Sequence, residues 1–256
     1  MNELVLSVLD GPIARLTLND PGHANVLSHA MIEALDAALA GAIVEPAARV
    51  IVLGASGRIF SAGHDLGEMR ATEEMAEHRA LFDRCGALMM AIGASPKPVI
   101  AKVEGAAVAA GCQLAASCDL AYAAEGARFA VSGIDLGLFC STPSVALGRM
   151  VGRKAAMEML FTGRFVSAME AAAIGLINRA VPAEELASVV DEAARSIAGK
   201  APQAVALGKA LFRRQIEMSQ EDAYAFAAEE MARNMEFEAT KSLIDGFLAG
   251  RARRAS

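Results

Sequence analysis

Twice in this chain a short apolar run ends in a loop of small residues, and a helical pattern begins immediately afterwards. The first instance is residues 49–54 (RVIVLG), an apolar run that reads as a buried strand. A glycine-containing loop over residues 55–64 and a largely helical stretch to about Ile92 follow it. The second instance is residues 98–103 (PVIAKV), a small-residue loop over 105–110, a helix over 111–117, and another strand over 120–123. A recurring order of strand, loop and helix is the signature of an α/β protein.

The flanks extend this pattern. Residues 4–9 and 13–18 are β-rich runs joined by Asp10-Gly11, a hairpin signal, with Pro12 complicating the exit. Ser28 reads as an N-cap, and Met31, Ile32, Leu35, Leu39 and Ala42 follow at helical spacing, which predicts a helix to about Val44. Beyond about Ser144 the pattern is almost wholly helical, over 144–161, 167–174, 183–199, 202–218, 220–237 and 239–249. Gly163, Gly175, Pro182 and Pro202 separate these segments. No low-complexity linker intervenes. The expected division is therefore a core over 1–195 and a helical region over 196–256, a change of architecture without a flexible joint.

Composition narrows the range of functions. The 256 residues are 54% hydrophobic and carry a formal net charge of −6. That balance argues against general affinity for nucleic acid or an anionic membrane surface. No apolar run of about 18 residues occurs, so no membrane span is expected. Cys85, Cys112, Cys118 and Cys140 form no C-x-x-C pair and have no histidine at zinc spacing, so reduced thiols and no metal are expected. The N-terminal MNELVLSVLDG lacks the basic-then-apolar layout of a secretory signal. A cytoplasmic protein is the expectation.

Two loops carry the chemistry. One is F-S-A-G-H-D-L at residues 60–66, and the other G-A-A-V-A-A-G-C-Q at 105–113. Each lies between a strand and a helix. Small residues there let backbone approach a ligand closely, and a helix N-terminus offers N–H donors and a partial positive charge. Two such loops facing one another would hold an oxyanion. Either loop alone is more often the product of tight packing.

Together, F-S-A-G-H-D-L and A-A-G-C-Q-L-A-A-S-C-D-L, with the later L-F-T-G-R-F-V-S-A-M-E-A-A-A-I-G-L-I-N-R-A-V-P, resemble the enoyl-CoA hydratase/isomerase (crotonase) family over nearly the whole chain. G-L-F-C-S-T-P at residues 137–143 resembles one branch of it. The resemblance implies a spiral of ββα units with a C-terminal helical trimerisation region, and a homotrimer or hexamer. It implies an acyl-CoA thioester as partner, with coenzyme A entering as part of the substrate and no separate cofactor, and a lyase of fatty acid metabolism. By the same resemblance His64 and Ala110 donate the two backbone N–H groups of an oxyanion hole. The coenzyme's adenine lies against Ala62, His64, Asp65 and Leu66. Phe247 matches a family aromatic beside the coenzyme, and Arg251 is a displaced candidate for a basic residue that the family places at the position of Gly250.

The chain also departs from the family. Hydratases of this type use two glutamates, one to take a proton from water and one to supply a proton to carbon. Gln113 stands at the first position and Gly133 at the second. Neither exchanges a proton near neutral pH, although Gln113 could orient a water or bond a ligand. Asp135, two positions on, is a candidate substitute; Asp119 reads as structural or capping; Cys140 has no evident base beside it. The His64 side chain is a further acid–base candidate. His23, His29 and His78 read as solvated or packing residues. Three functions follow: an acyl-CoA hydratase or isomerase with a reduced catalytic set, an acyl-CoA-binding protein without catalysis, and, remotely, a Clp-type serine peptidase using Ser61 and His64, for which no G-x-S-x-G elbow is present.

Overall fold

A computed structural model describes residues 3–255, and its strands form two sheets. The larger has the order β1 (Val5–Asp10), β2 (Ile13–Leu18), β3 (Val50–Ala55), β5 (Val99–Val103), β7 (Leu120–Ala124) and β10 (Arg179–Val181). The smaller has the order β4 (Ile59–Ser61), β6 (Ala106–Val108), β8 (Arg128–Ala130) and β9 (Val166–Ser167). Strands β1 and β2 form the expected antiparallel hairpin, closing at Asp10 opposite Ile13, and from β2 to β10 every pairing in the larger sheet is parallel.

The chain passes through the two sheets in a repeated sequence. Strands β3 and β4 are followed by α2 (Leu66–Arg70) and α3 (Met75–Ala94). Strands β5 and β6 are followed by α4 (Ala110–Ser117). Strands β7 and β8 are followed by a 3-10 turn (Ser132–Leu136), α5 (Ser141–Met150) and α6 (Arg153–Thr162), and β9 by α7 (Ala168–Ala173). Because β3-β5-β7 and β4-β6-β8 are ordered in step, each ββα pass sits beside the last, and the chain winds as a spiral. The α/β expectation and the spiral of ββα units both hold.

Apolar residues on both faces explain the unbroken hydrophobic runs. Along β3, Val50 and Val52 face one core while Ile51 and Leu53 face the other. The first core is closed by α8 (Ala183–Ala198), whose Leu186, Val190 and Ala194 recur every four residues on a single stripe. The second is closed by α1 (His29–Val44), α3 and α4. Burying each large aliphatic side chain stabilises the fold by about 1.5–3 kcal/mol. Ser28 caps α1 as expected, its side chain accepting from the Met31 N–H at 3.1 Å.

The loops differ from their sequence reading. Strand β4 lies inside the expected loop 55–64 and β6 inside 105–110; the following helix starts at Ala110, and the helical stretch toward Ile92 is two helices. Three-residue strands are too short to show period-two alternation. Among the described residues no helix is long and apolar enough to cross a membrane.

After α8 come α9 (Pro202–Gln215), α10 (Gln220–Met235) and α11 (Glu238–Ala255). Neither α9 nor α10 has a buried residue. Lys209 ties α9 down: its Nζ donates to Ile92 O at 2.9 Å, Lys97 O at 3.1 Å and Asp119 Oδ2 at 2.6 Å. The Asp119 carboxylate also accepts from the Val99 N–H at 2.7 Å, a structural role.

Candidate functional site

The site starts from two adjacent parallel strands. Ile59 of β4 pairs with Ala106 of β6, and a register shift precedes Ser61 opposite Ala107. Both loops therefore leave the same end of the small sheet, the carboxyl ends where α/β proteins bind ligands. The loops are in contact. A Cβ on Gly63, which has φ +95°, would stand 2.9 Å from Ala109 Cβ and 3.2 Å from Ala110 N; one on Gly111 would stand 2.3 Å from Ser61 O. Only glycine permits this approach at either position.

Backbone conformation then frees the donors. Ala109 has φ 49° and ψ −116°, and its own N–H donates to Ala130 O at 2.8 Å. That rotation leaves the next N–H, at Ala110, as the first of helix α4. On the other loop Leu27 N–H donates to Gly63 O at 2.7 Å, which fixes the peptide entering His64. Among the described residues neither the His64 nor the Ala110 N–H has an acceptor. Asp65 caps α2, its Oδ1 accepting from Gly67 N at 2.7 Å and Glu68 N at 3.1 Å. Asn25, which the sequence reading passed over, supports the same loop. It is buried at φ 49°, donates from Nδ2 to Ser56 O at 2.9 Å and Ile59 O at 2.7 Å, and accepts from Asp20 N at 2.8 Å. An Asn closing the turn-forming run that begins Asp20-Pro21-Gly22 is the signal that could have found it.

The His64 ring packs edge-on against Phe82, centroids 5.5 Å apart. Nδ1 faces Leu27 O at 3.3 Å, which makes it the N–H donor. Burial holds the imidazole pKa below its ordinary value, against the opposing pull of the Leu27 carbonyl, so the ring is neutral. Two buried side-chain atoms among the described residues have no partner, His64 Nε2 and Gln113 Oε1. Gln113 sits in the first turn of α4, 4% exposed.

Gly133 has no room for a side chain: a Cβ there would meet Leu138 O at 2.4 Å and Cys140 Sγ at 2.9 Å. The Gly133 N–H donates to Cys140 Sγ at 3.3 Å, and burial raises that thiol's pKa, so Cys140 is a packed thiol. Cys85 and Cys112 are pushed up to about 12 by burial. Asp135 is exposed, with its carboxylate beside Gly163 at the end of α6. Ser61 Oγ accepts from the Gly63 N–H at 3.2 Å and has no bond to His64, so no serine relay is assembled among the described residues. His78 Nε2 bonds Met69 O at 2.8 Å and His23 faces Asp20, while His29 contributes its backbone N–H to Glu68. Phe247 and Arg251 lie together on α11, the guanidinium 5.9 Å from the ring centroid, both exposed. The structure thus brings the loop of Ala62, His64, Asp65 and Leu66 against the start of α4, which carries Ala110 and Gln113, while Asp135, Phe247 and Arg251 are exposed residues of other elements.

A sequence model of the enoyl-CoA hydratase/isomerase family matches residues 10–251. The chain belongs to that family. Among curated relatives it is 44% identical to enoyl-CoA hydratase domain-containing protein 3, mitochondrial, of Xenopus laevis, covering 93% of this chain and 81% of that protein. It is 42% identical to the Homo sapiens protein of the same name, over 95% and 80%. This is the branch that residues 137–143 resemble. Among solved structures, enoyl-CoA hydratase of Mycobacterium smegmatis superimposes with a TM-score of 0.95 at 50% identity, covering 97% of both chains. Human enoyl Coenzyme A hydratase domain-containing protein 3 superimposes at 0.93 and 40% identity, over 96% of this chain and 98% of that one. The relatives correct one expectation. Those of this branch are named mitochondrial, which overturns the cytoplasmic reading. Reduced thiols and the lack of a secretory layout are as compatible with a mitochondrial interior as with cytosol.

Proposed function

We propose that the chain binds an acyl-CoA thioester, holds its carbonyl oxygen between the His64 and Ala110 N–H groups, and lacks the acid–base pair needed to hydrate it. The observation that carries this reading is the pair of N–H groups without acceptors, on two loops in van der Waals contact. A carbonyl oxygen held there gains most as it becomes an enolate oxygen, because fixed donors act where charge develops. One such donor typically contributes about 10²–10³-fold. The coenzyme's adenine is assigned to Ala62, His64, Asp65 and the half-exposed Leu66. Phe247 and Arg251 would reach a coenzyme only from a neighbouring subunit of a homotrimer or hexamer, for which the exposed apolar side chains of α9–α11 supply the surface.

Water activation is the missing half. A positioned acid–base group contributes about 10²–10⁴-fold, and neither Gln113 nor Gly133 supplies one. Titration of crotonyl-CoA by calorimetry, with loss of the conjugated enoyl absorbance followed in parallel, tests the proposal. Binding with little or no hydration is expected. Rapid hydration that survives Gln113→Ala would contradict it, and failure to bind any acyl-CoA would remove its basis.

A second reading, a hydratase or isomerase with a reduced set, draws on the neutral His64 ring with its unpartnered Nε2. It requires turnover that declines as His64 is protonated; turnover independent of pH below neutrality would exclude it.

A further inference from the structure

A cavity of about 280 Å³ lies where α9 leaves the spiral. Its walls come from residues just ahead of β3, residues just ahead of β5, the junction between α8 and α9, and the first turns of α9. It shares no residue with the loops at 60–66 and 105–113. Ala48, Pro96, Ile197, Pro202, Val205 and Ala206 make most of the lining apolar. The volume sits at the small end of the range for small-molecule sites, and so does the ligand it can hold.

The charge of this cavity runs against that of the chain. The protein carries a net charge of −6, yet Arg49, Lys97 and Lys200 line the cavity and no carboxylate does. None of the three cations forms an ion pair among the described residues. Lys97 is held in place: its Nζ donates to Ala42 O at 2.9 Å and to Glu45 O at 2.6 Å, which leaves one of its three protons free. Burial lowers the Lys97 pKa, with the charge of Glu45 opposing and that of Arg49 reinforcing the shift. The first turn of α9 adds donors of the same polarity. Its N-cap, Ala201, has no side chain to cap it, and the Gln203 and Ala204 N–H groups have no acceptor among the described residues.

We infer that this cavity is a second ligand site, separate from the acyl-CoA loops, and that it takes a small amphiphilic anion, a fatty carboxylate of medium length. The carboxylate meets Arg49, Lys97 and Lys200 at the start of α9, and the hydrocarbon chain covers the Ala, Pro, Val and Ile side chains of the walls. An inorganic anion would answer the cations and leave the apolar walls in water. A neutral lipid would cover the walls and leave the cations without a countercharge. Only a molecule with both parts matches the whole lining. Because the walls belong to the spiral on one side and to α9 on the other, the bound carboxylate also joins the two.

Calorimetric titration of the intact protein with octanoate, octanol and inorganic phosphate tests this. Octanoate is expected to bind about tenfold more tightly than either of the others, since octanol lacks the charge and phosphate lacks the chain. Arg49→Gln combined with Lys200→Gln, both at exposed positions, should weaken octanoate about tenfold while leaving crotonyl-CoA titration and the melting temperature of the unliganded protein unchanged. Absence of octanoate binding, or equal affinity for octanol or phosphate, overturns the inference. So does octanoate binding that the double variant retains in full or that crotonyl-CoA displaces, because the carboxylate then occupies the acyl-CoA loops. Failure of crotonyl-CoA to bind would remove the acyl-CoA reading and leave this one standing.

Discussion

Ala109 shows how much this site asks of a single residue. Its φ of 49° lies where side chains are disfavoured, and its ψ of −116° sets the peptide that presents the Ala110 N–H. Such conformations cost about 1–3 kcal/mol and persist only where surrounding structure enforces them. Ala109→Val is expected to lower stability by about that amount in denaturant melts, because a β-branched residue tolerates positive φ least, whereas Ala109→Gly should keep full stability. His64 adds a pH dependence with a definite sign. Burial lowers its folded-state pKa below the ordinary 6.5, so under acid the unfolded chain takes up a proton before the folded chain does. Stability should therefore fall as pH drops below about 6.5, and His64→Phe should flatten that slope. A stability that rises with acid in this window would contradict the neutral, buried ring.

Among the elements, β4, β6 and the segment from Asn25 to Leu27 position the site. Asn25, itself buried, makes three side-chain hydrogen bonds, each worth about 1 kcal/mol net. Asn25→Ala is expected to destabilise the fold by about 3 kcal/mol and to weaken acyl-CoA binding, both measurable on one purified variant. Lys209→Met should cost about 1–3 kcal/mol, the range for hydrogen bonds to a charged group, because it removes the Nζ bonds to Ile92 O, Lys97 O and Asp119; hydrogen exchange should then rise along α9 first. These elements also mark where sequence reasoning stopped. The hairpin, β3, β5, β7 and the long helices were legible because they are long enough for alternation or helical spacing to appear. The small sheet was not, because β4, β6 and β8 have three residues each. Of the site itself, His64, Ala110 and Gln113 were identified from motifs and a family resemblance, with no view of the strands that hold them. The positive φ at Ala109 and the collision that seals Gly133 have no sequence signal, since both arise from contacts between segments distant along the chain.

At the scale of the whole molecule, three helices project from the spiral with their apolar side chains uncovered. Phe212, Ile216, Tyr224, Met231, Leu243 and Phe247 are all more than half exposed, and surfaces of this kind mark association sites. Sedimentation is expected to give the mass of a homotrimer or hexamer, and Phe212→Asp with Ile216→Asp should shift it toward the single chain. The two loops hold one chemical feature, the pair of N–H groups at His64 and Ala110. Isotope-edited infrared spectroscopy of an acyl-CoA labelled with ¹³C at its thioester carbonyl tests that feature most directly. Polarisation by two donors predicts that the carbonyl stretch moves to lower frequency on binding. A bound thioester whose stretch stays at its value in water or moves upward would contradict the oxyanion hole.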